Sequence, residues 1–276
     1  MKNRRQFIGA SAMSVFGIQK LLGPNHYLNR PSQSSAIGFP AQDPGLVEEM
    51  VIVSHGQIDR VKQLLLDHPE LAKAAWDWGF GDWETAIGAA SHVGNKEIAE
   101  LLISYGARPD LFTFTMMGNL PVVKSIIEST PGIQSSLGPH GITLLSHAKN
   151  RLLSKSITDT DKSLIQNMIA YLTSLDNSDP KMNYLNLTDL DKQKLVGSYS
   201  YGKDEKDQLT VQLTNQGQLT IKGPQAKFAR TLFKHEENVF SPIGALRVKI
   251  KFEVDQEKVL SCSIFDPAFV LKAVKL

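Results

Sequence analysis

A single cysteine, Cys262, stands among 276 residues, so no disulfide can close within the chain and no thiolate cluster can form. Long apolar runs are missing as well: the one candidate, Phe7 to Ile18, is too short to anchor stably across a bilayer. An excess of one charge is missing too. The formal net charge is +2, yet Lys2, Arg4, Arg5, Lys20 and Arg30 all precede the first acidic residue, Asp43. Without those five, the 30 basic residues fall to 25 against 28 acidic ones, which leaves no electrostatic footprint for nucleic acid. The chain has no G-x-S-x-G elbow, no G-x-x-x-x-G-K-[ST] loop, no G-x-G-x-x-G and no H-E-x-x-H. The sequence marks of serine hydrolases, nucleotide binders and zinc proteases are therefore absent. What is present, 42% hydrophobic and 21% charged residues, suits a globular chain long enough for two modest cores.

The opening MKNRRQFIGASAMSVFGIQKLLG joins a basic head to a short apolar stretch, the layout of a signal peptide. Within it, NRRQFIG resembles the twin-arginine export signal: Arg4 and Arg5, a polar residue, then Phe7 and Ile8. Asn3 stands where that family usually has Ser or Thr, and Lys20 after the weak apolar core fits the same route. The resemblance implies export of a folded protein across a bacterial inner membrane, hence a periplasmic location. Residues 1–44 are expected to be signal and flexible leader, with Ser34 and Ala36 near the cleavage position.

The middle of the chain repeats itself. HGQIDRVKQLLLD, VGNKEIAELLISYGARPD and MGNLPVVKSIIES each place a glycine (Gly56, Gly94, Gly118) ahead of an apolar triad. The triads Val61-Leu64-Leu65, Ala99-Leu102-Ile103 and Val123-Ile126-Ile127 fall at i, i+3 and i+4, one face of a helix. Thr85-Ala86-Ile87-Gly88-Ala89-Ala90 and Thr143-Leu144-Leu145-Ser146-His147-Ala148 resemble the ankyrin T-P-L-H-x-A motif, and Gly106-Ala107 with Asp110 resembles the close of an ankyrin repeat. The likeness implies that Thr85 and Thr143 cap helices. Departures accompany it: neither motif keeps its Pro, and the glycines are about 38 and 24 residues apart against an ideal of about 33. Asp110-Leu111-Phe112-Thr113 runs directly into a helix, extra residues fill Trp76 to Trp83, and SLIQNMIAYLTSL reads as a terminal cap.

Beyond a linker at 179–193 the period changes to two. Leu209-Val211-Leu213 with Leu219-Ile221, and Val248-Ile250-Phe252-Val254 with Leu260-Cys262-Ile264, read as hairpins. Adding Leu195 to Tyr201, Ala229 to Phe233 and Phe269 to Val274 makes about seven or eight short strands. The segment from Leu195-Val196-Gly197-Ser198-Tyr199 onward is similar to the small β-domain that follows the catalytic domain of β-lactamase-like serine hydrolases, a likeness that carries no catalytic residue. The expected fold is α+β: an ankyrin-repeat helical solenoid over 45–178, then a small antiparallel β-barrel or meander over 194–276.

Function is expected to be binding rather than catalysis, with no cofactor and no metal. All three tryptophans, Trp76, Trp78 and Trp83, lie with Phe80 in WDWGFGDW. Such a loop offers aromatic rings to a protein or peptide partner, or folds them down as local core. The rival reading is a small ligand or hydrolase-related chemistry in the β-domain or an interdomain cleft, with His92, His147 or His235 as the acid–base group. Cys262 is expected to be buried as a small hydrophobe.

Overall fold

A computed structural model describes residues 41–155, 157–180, 184–224 and 226–276. Arg4, Arg5 and the expected cleavage region lie outside the described residues. Helix α1 (Pro44–Val53) begins where Asp43 accepts hydrogen bonds from the amides of Gly45 and Leu46. Helix α2 spans Ile58–Asp67. A short hairpin follows, β1 (Ala75–Asp77) paired antiparallel with β2 (Trp83–Thr85). Thr85 then caps α3 (Ala86–His92) by accepting from the Gly88 amide, and α4 covers Lys96–Ser104. Asp110 caps α5 (Leu111–Met116) with no hairpin before it, and α6 spans Leu120–Ser129. Thr143 caps α7 (Leu144–Leu152), and Thr158 caps α8 (Asp159–Thr173). All three threonines act as N-caps because a side-chain oxygen satisfies an amide that the first turn leaves without a partner.

The expected helical solenoid does not form. A solenoid buries its apolar faces along one continuous spine, and here they divide. Val61, Leu64, Leu65, Ala99 and Leu102 belong to one core cluster, whereas Val123 and Ile127 belong to another with Leu144, Ile165 and Met168. The unequal spacing of the glycines is the physical reason: a hairpin is inserted ahead of α3 and omitted ahead of α5, so no constant step relates one pair of helices to the next. Residues 42–276, helices and strands together, form one compact unit.

The C-terminal part is a closed barrel. Strands β3 (Gly197–Ser200), β4 (Gln208–Leu213), β5 (Leu219–Lys222), β6 (Arg230–Glu236), β7 (Val239–Pro242), β8 (Lys249–Asp255), β9 (Lys258–Asp266) and β10 (Ala268–Lys275) pair antiparallel in sequence order. Pairing of Tyr199 with Lys275 and of Ser200 with Val274 closes the ring, which leaves no edge strand open to another chain. The interior is Tyr199, Val211, Ile221, Phe240, Ile250, Cys262 and Ala273, supplied by the inward positions of a period-two pattern. Cys262 is fully buried there, as expected, and burial pushes its thiol up to about 12.

Leu195 departs from expectation: it ends helix α9 (Asp189–Leu195) instead of starting a strand. Thr188 caps that helix, acids fill its first turn and lysines its last, so local capping and the helix dipole outweigh the alternation that begins at Gly197. Among the described residues, no helix is long and apolar enough to cross a membrane.

Gly94, between α3 and α4, sits at φ +77°, and a Cβ there would lie 2.7 Å from the Asn150 carbonyl oxygen and 2.8 Å from Arg151 Cα in α7. Gly94→Ala should therefore destabilise the protein by about 1–3 kcal/mol. Gly56→Ala, with nothing within 4 Å of the new methyl, should stay within about 0.5 kcal/mol. Urea-unfolding midpoints of the two variants decide between this difference and a generic cost of losing glycine.

Candidate functional site

Strand β2 alternates: Trp83 and Thr85 face outward and Glu84 is fully buried between them. Three histidines meet its carboxylate. His92 ends α3, and its Nε2 lies 2.9 Å from Glu84 Oε1. His55 follows the C-terminus of α1, where its Nδ1 lies 3.1 and 3.0 Å from the last carbonyls of the helix, those of Val51 and Ile52. Those carbonyls can only accept, so Nδ1 carries the hydrogen. His55 Nε2 is left to face His92 Nε2 at 3.0 Å and Glu84 Oε2 at 3.7 Å. His140 occupies the turn Pro139–Gly141, which packs against α3, and brings Nε2 to 3.5 Å from Glu84 Oε1.

A second carboxylate holds this arrangement from behind. Asp82 is buried at the end of the loop that joins β1 to β2, where Gly79, Phe80 and Gly81 all have positive φ. Its oxygens accept from the His140 amide at 2.9 Å, from His140 Nδ1 at 2.7 Å, and from the Arg230 guanidinium of β6. His140 itself is held at φ +59°, an uncommon conformation that only firm surroundings sustain. Gly244 completes the fit, because a Cβ there would lie 2.5 Å from the Asp82 carboxylate.

Electrostatics follow from these contacts. Burial alone would raise Glu84, but the contacts of His140 and His92 reverse it and bring the carboxyl down to about 2. Burial likewise opposes the charged form of His140, and the two carboxylates override it, lifting the imidazole to about 9. For Asp82 burial is again opposed, by His140 and Arg230, and its pKa falls below the ordinary carboxylate value. Trp78 Nε1 donates to Glu84 Oε2 at 2.7 Å, while Oε1, equally buried, receives no hydrogen bond. One ligand atom each from His55, Glu84, His92 and His140 lies within 4.8 Å of all the others, a nitrogen-rich set able to hold a transition-metal ion.

The site borders a cavity of about 590 Å³ between the helices and the barrel, walled by Trp76, Trp78 and Phe228, with His55 and His140 reaching its lining. The Trp78 and Phe228 rings meet edge to face at 5.7 Å. The WDWGFGDW aromatics do not share one surface. Trp76 and Trp78 line this cavity, Phe80 packs against the barrel core, and Trp83 is 63% exposed. Of the three histidines considered from sequence, only His92 joins the cluster. His235 rests against Tyr184, and His147 is sealed in α7 with Nδ1 2.8 Å from the Thr143 carbonyl.

Sequence reasoning missed His55, Asp82, Glu84, His140 and Arg230. A partial signal was present, since H-G, W-E-T and G-P-H-G each set a titratable residue beside a turn glycine or a helix cap. Arg230 had none. Compared with family models, curated proteins and solved structures, the chain matches none.

His147 sets a pH dependence. Burial depresses its pKa from 6.5 to about 4, so the unfolded chain binds the extra proton more readily between those values. Its contribution is complete above pH 6.5 and is lost as pH falls towards 4, a difference of about 3 kcal/mol. Unfolding free energies measured from pH 7 to 4 should fall more steeply for the wild-type protein than for His147→Leu; parallel curves would count against it.

Proposed function

We propose that this chain binds a small organic ligand, flat or aromatic at one end and polar at the other, in the cavity between its helices and its barrel. The observation that carries this reading is the cavity's construction. It has aromatic walls at Trp76, Trp78 and Phe228, two imidazoles in its lining, and a volume of about 590 Å³, inside the roughly 300–1,000 Å³ common for small-molecule sites. Of its charged lining residues, Lys227 pairs with Glu48 at 3.1 Å, Arg230 pairs with Asp82, and Asp77 accepts from the Gly79 amide at 2.9 Å. Apolar contact therefore supplies most of the affinity, and the imidazole edge supplies orientation. Calorimetric titration of hits from a library of flat aromatic compounds tests the reading. A true ligand should lose about tenfold or more in affinity on Phe228→Ala and Trp76→Ala, equivalent to roughly 1.4 kcal/mol each, and keep it on Trp83→Ala. Hits that bind all four proteins alike would overturn the assignment.

A second reading, docking of a protein or peptide, is favoured by one feature: Trp83 projects from β2 with 63% of its surface exposed, and tryptophan is enriched in binding hot spots. Export by the twin-arginine route is part of the proposal and rests on Arg4 and Arg5. Replacing both with Lys should trap the chain in the cytoplasm of a bacterial host, as fractionation would show; unchanged export would reject that route.

A further inference from the structure

We propose that His55, Glu84, His92 and His140 form a binding site for a first-row divalent transition-metal ion of the zinc class, with three imidazole Nε2 atoms and Glu84 Oε1 as ligands. The site shares His55 and His140 with the cavity lining, but the inference does not rest on what the cavity accepts. Three observations converge on it. The first is direction: the Nδ1 atoms of His55 and His140 are engaged by the α1 carbonyls and by Asp82, so both rings present Nε2 to the same centre. His92 Nε2 meets them there at 3.0 Å from His55. With their protons displaced, these nitrogens and the carboxylate all turn lone pairs towards one point, where a cation would be held.

The second is spacing. Ligands placed tetrahedrally around zinc at about 2.0–2.1 Å stand about 3.3 Å apart. Among these ligand atoms His92 Nε2 and Glu84 Oε1 stand 2.9 Å apart, His55 Nε2 and His92 Nε2 3.0 Å, and His140 Nε2 and Glu84 Oε1 3.5 Å, on both sides of that value, and one ligand atom from each of the four residues lies within 4.8 Å of the others.

The third is the unpartnered oxygen. Glu84 is fully buried, Trp78 satisfies Oε2, and Oε1 points into the cluster, where His92 Nε2 stands at 2.9 Å but forms no well-directed hydrogen bond to it. A buried carboxylate oxygen left so is costly, and a metal ion accounts for it. Surrounding groups are those that metal sites use: carboxylate Asp82 behind His140, indole Trp78 on the far carboxylate oxygen, and Asn150, whose Nδ2 donates to the His92 carbonyl at 2.7 Å. Three nitrogens with one oxygen select zinc-like ions over calcium or magnesium, which require mainly oxygen ligands. Because His55 and His140 also line the cavity, the ion would lie against its wall.

Zinc alone is the probe. Full-length protein without an affinity tag, incubated with Zn²⁺ and gel-filtered, should carry one equivalent by elemental analysis. Its Co²⁺ form should show the intense ligand-field absorption of a tetrahedral site. In competition with a chromophoric chelator, Glu84→Gln and His92→Gln should each lose about 100-fold or more in affinity, and Asp82→Asn about 10- to 100-fold. His235→Gln, outside the cluster, should lose nothing, and Mg²⁺ or Ca²⁺ should not compete. Should the buried substitutions fail to fold, His55→Gln, at a side chain 33% exposed, carries the same expectation of weakened binding. Wild-type protein that retains well under one equivalent of zinc, or affinity unchanged by His55→Gln and His92→Gln, overturns the site.

Discussion

The carboxylate of Asp82 is the point on which the rest of the molecule turns. It is buried, and three donors reach it from segments far apart in the chain: the amide and Nδ1 of His140, 58 residues on, and the guanidinium of Arg230, 148 residues on. An ionised carboxylate with fewer donors would carry a desolvation penalty of several kcal/mol. Hairpin, turn and barrel must therefore dock together before any of them is comfortable. Contacts of such sequence separation form late and slowly, because loop closure costs entropy before the contact repays it. Assembly of the site is thus tied to assembly of the whole body.

Charge balance across the site follows the same logic. Asp82 faces Arg230 as Glu84 faces His140, so each buried anion has a cation of its own. Desolvation favours neutral groups throughout, and geometry overrules it at each carboxylate, as their lowered pKa values record. His147 is the contrasting case in the same helical region. With only a backbone carbonyl on Nδ1 and nothing on Nε2, desolvation prevails and the ring stays neutral. A carboxylate within hydrogen-bond reach separates His140, charged, from His147, neutral, and burial alone does not.

Local structure was legible in the sequence where a single side chain decides it. Thr85 and Thr143 cap helices as their positions imply, while the capping role of Asp110 emerges only in the structure, and alternation marked β4, β5, β8 and β9, with Cys262 inside. Global helical order was not legible. Triads after Gly56, Gly94 and Gly118 describe each helix face correctly, but not which core receives it, and Val123 joins a different cluster from Val61 and Ala99. The site lay further from view, since its members come from a turn, a strand of three residues, a helix end and a barrel strand. No spacing rule links His55, Glu84, His92 and His140, and WDWGFGDW drew attention to its aromatic rings when its Asp82 and the adjoining Glu84 supply the polar centre.

The lone thiol has a use that its environment creates. Cys262 lies in β9 between β8 and β10, paired with Phe252 and Ala273, and is wholly enclosed. A closed ring of strands offers an alkylating reagent no path to that sulfur unless neighbouring strands part, and burial keeps the thiol protonated and unreactive besides. Its labelling rate is consequently a clock for breathing of the barrel, one that ticks once per molecule and without any engineered probe.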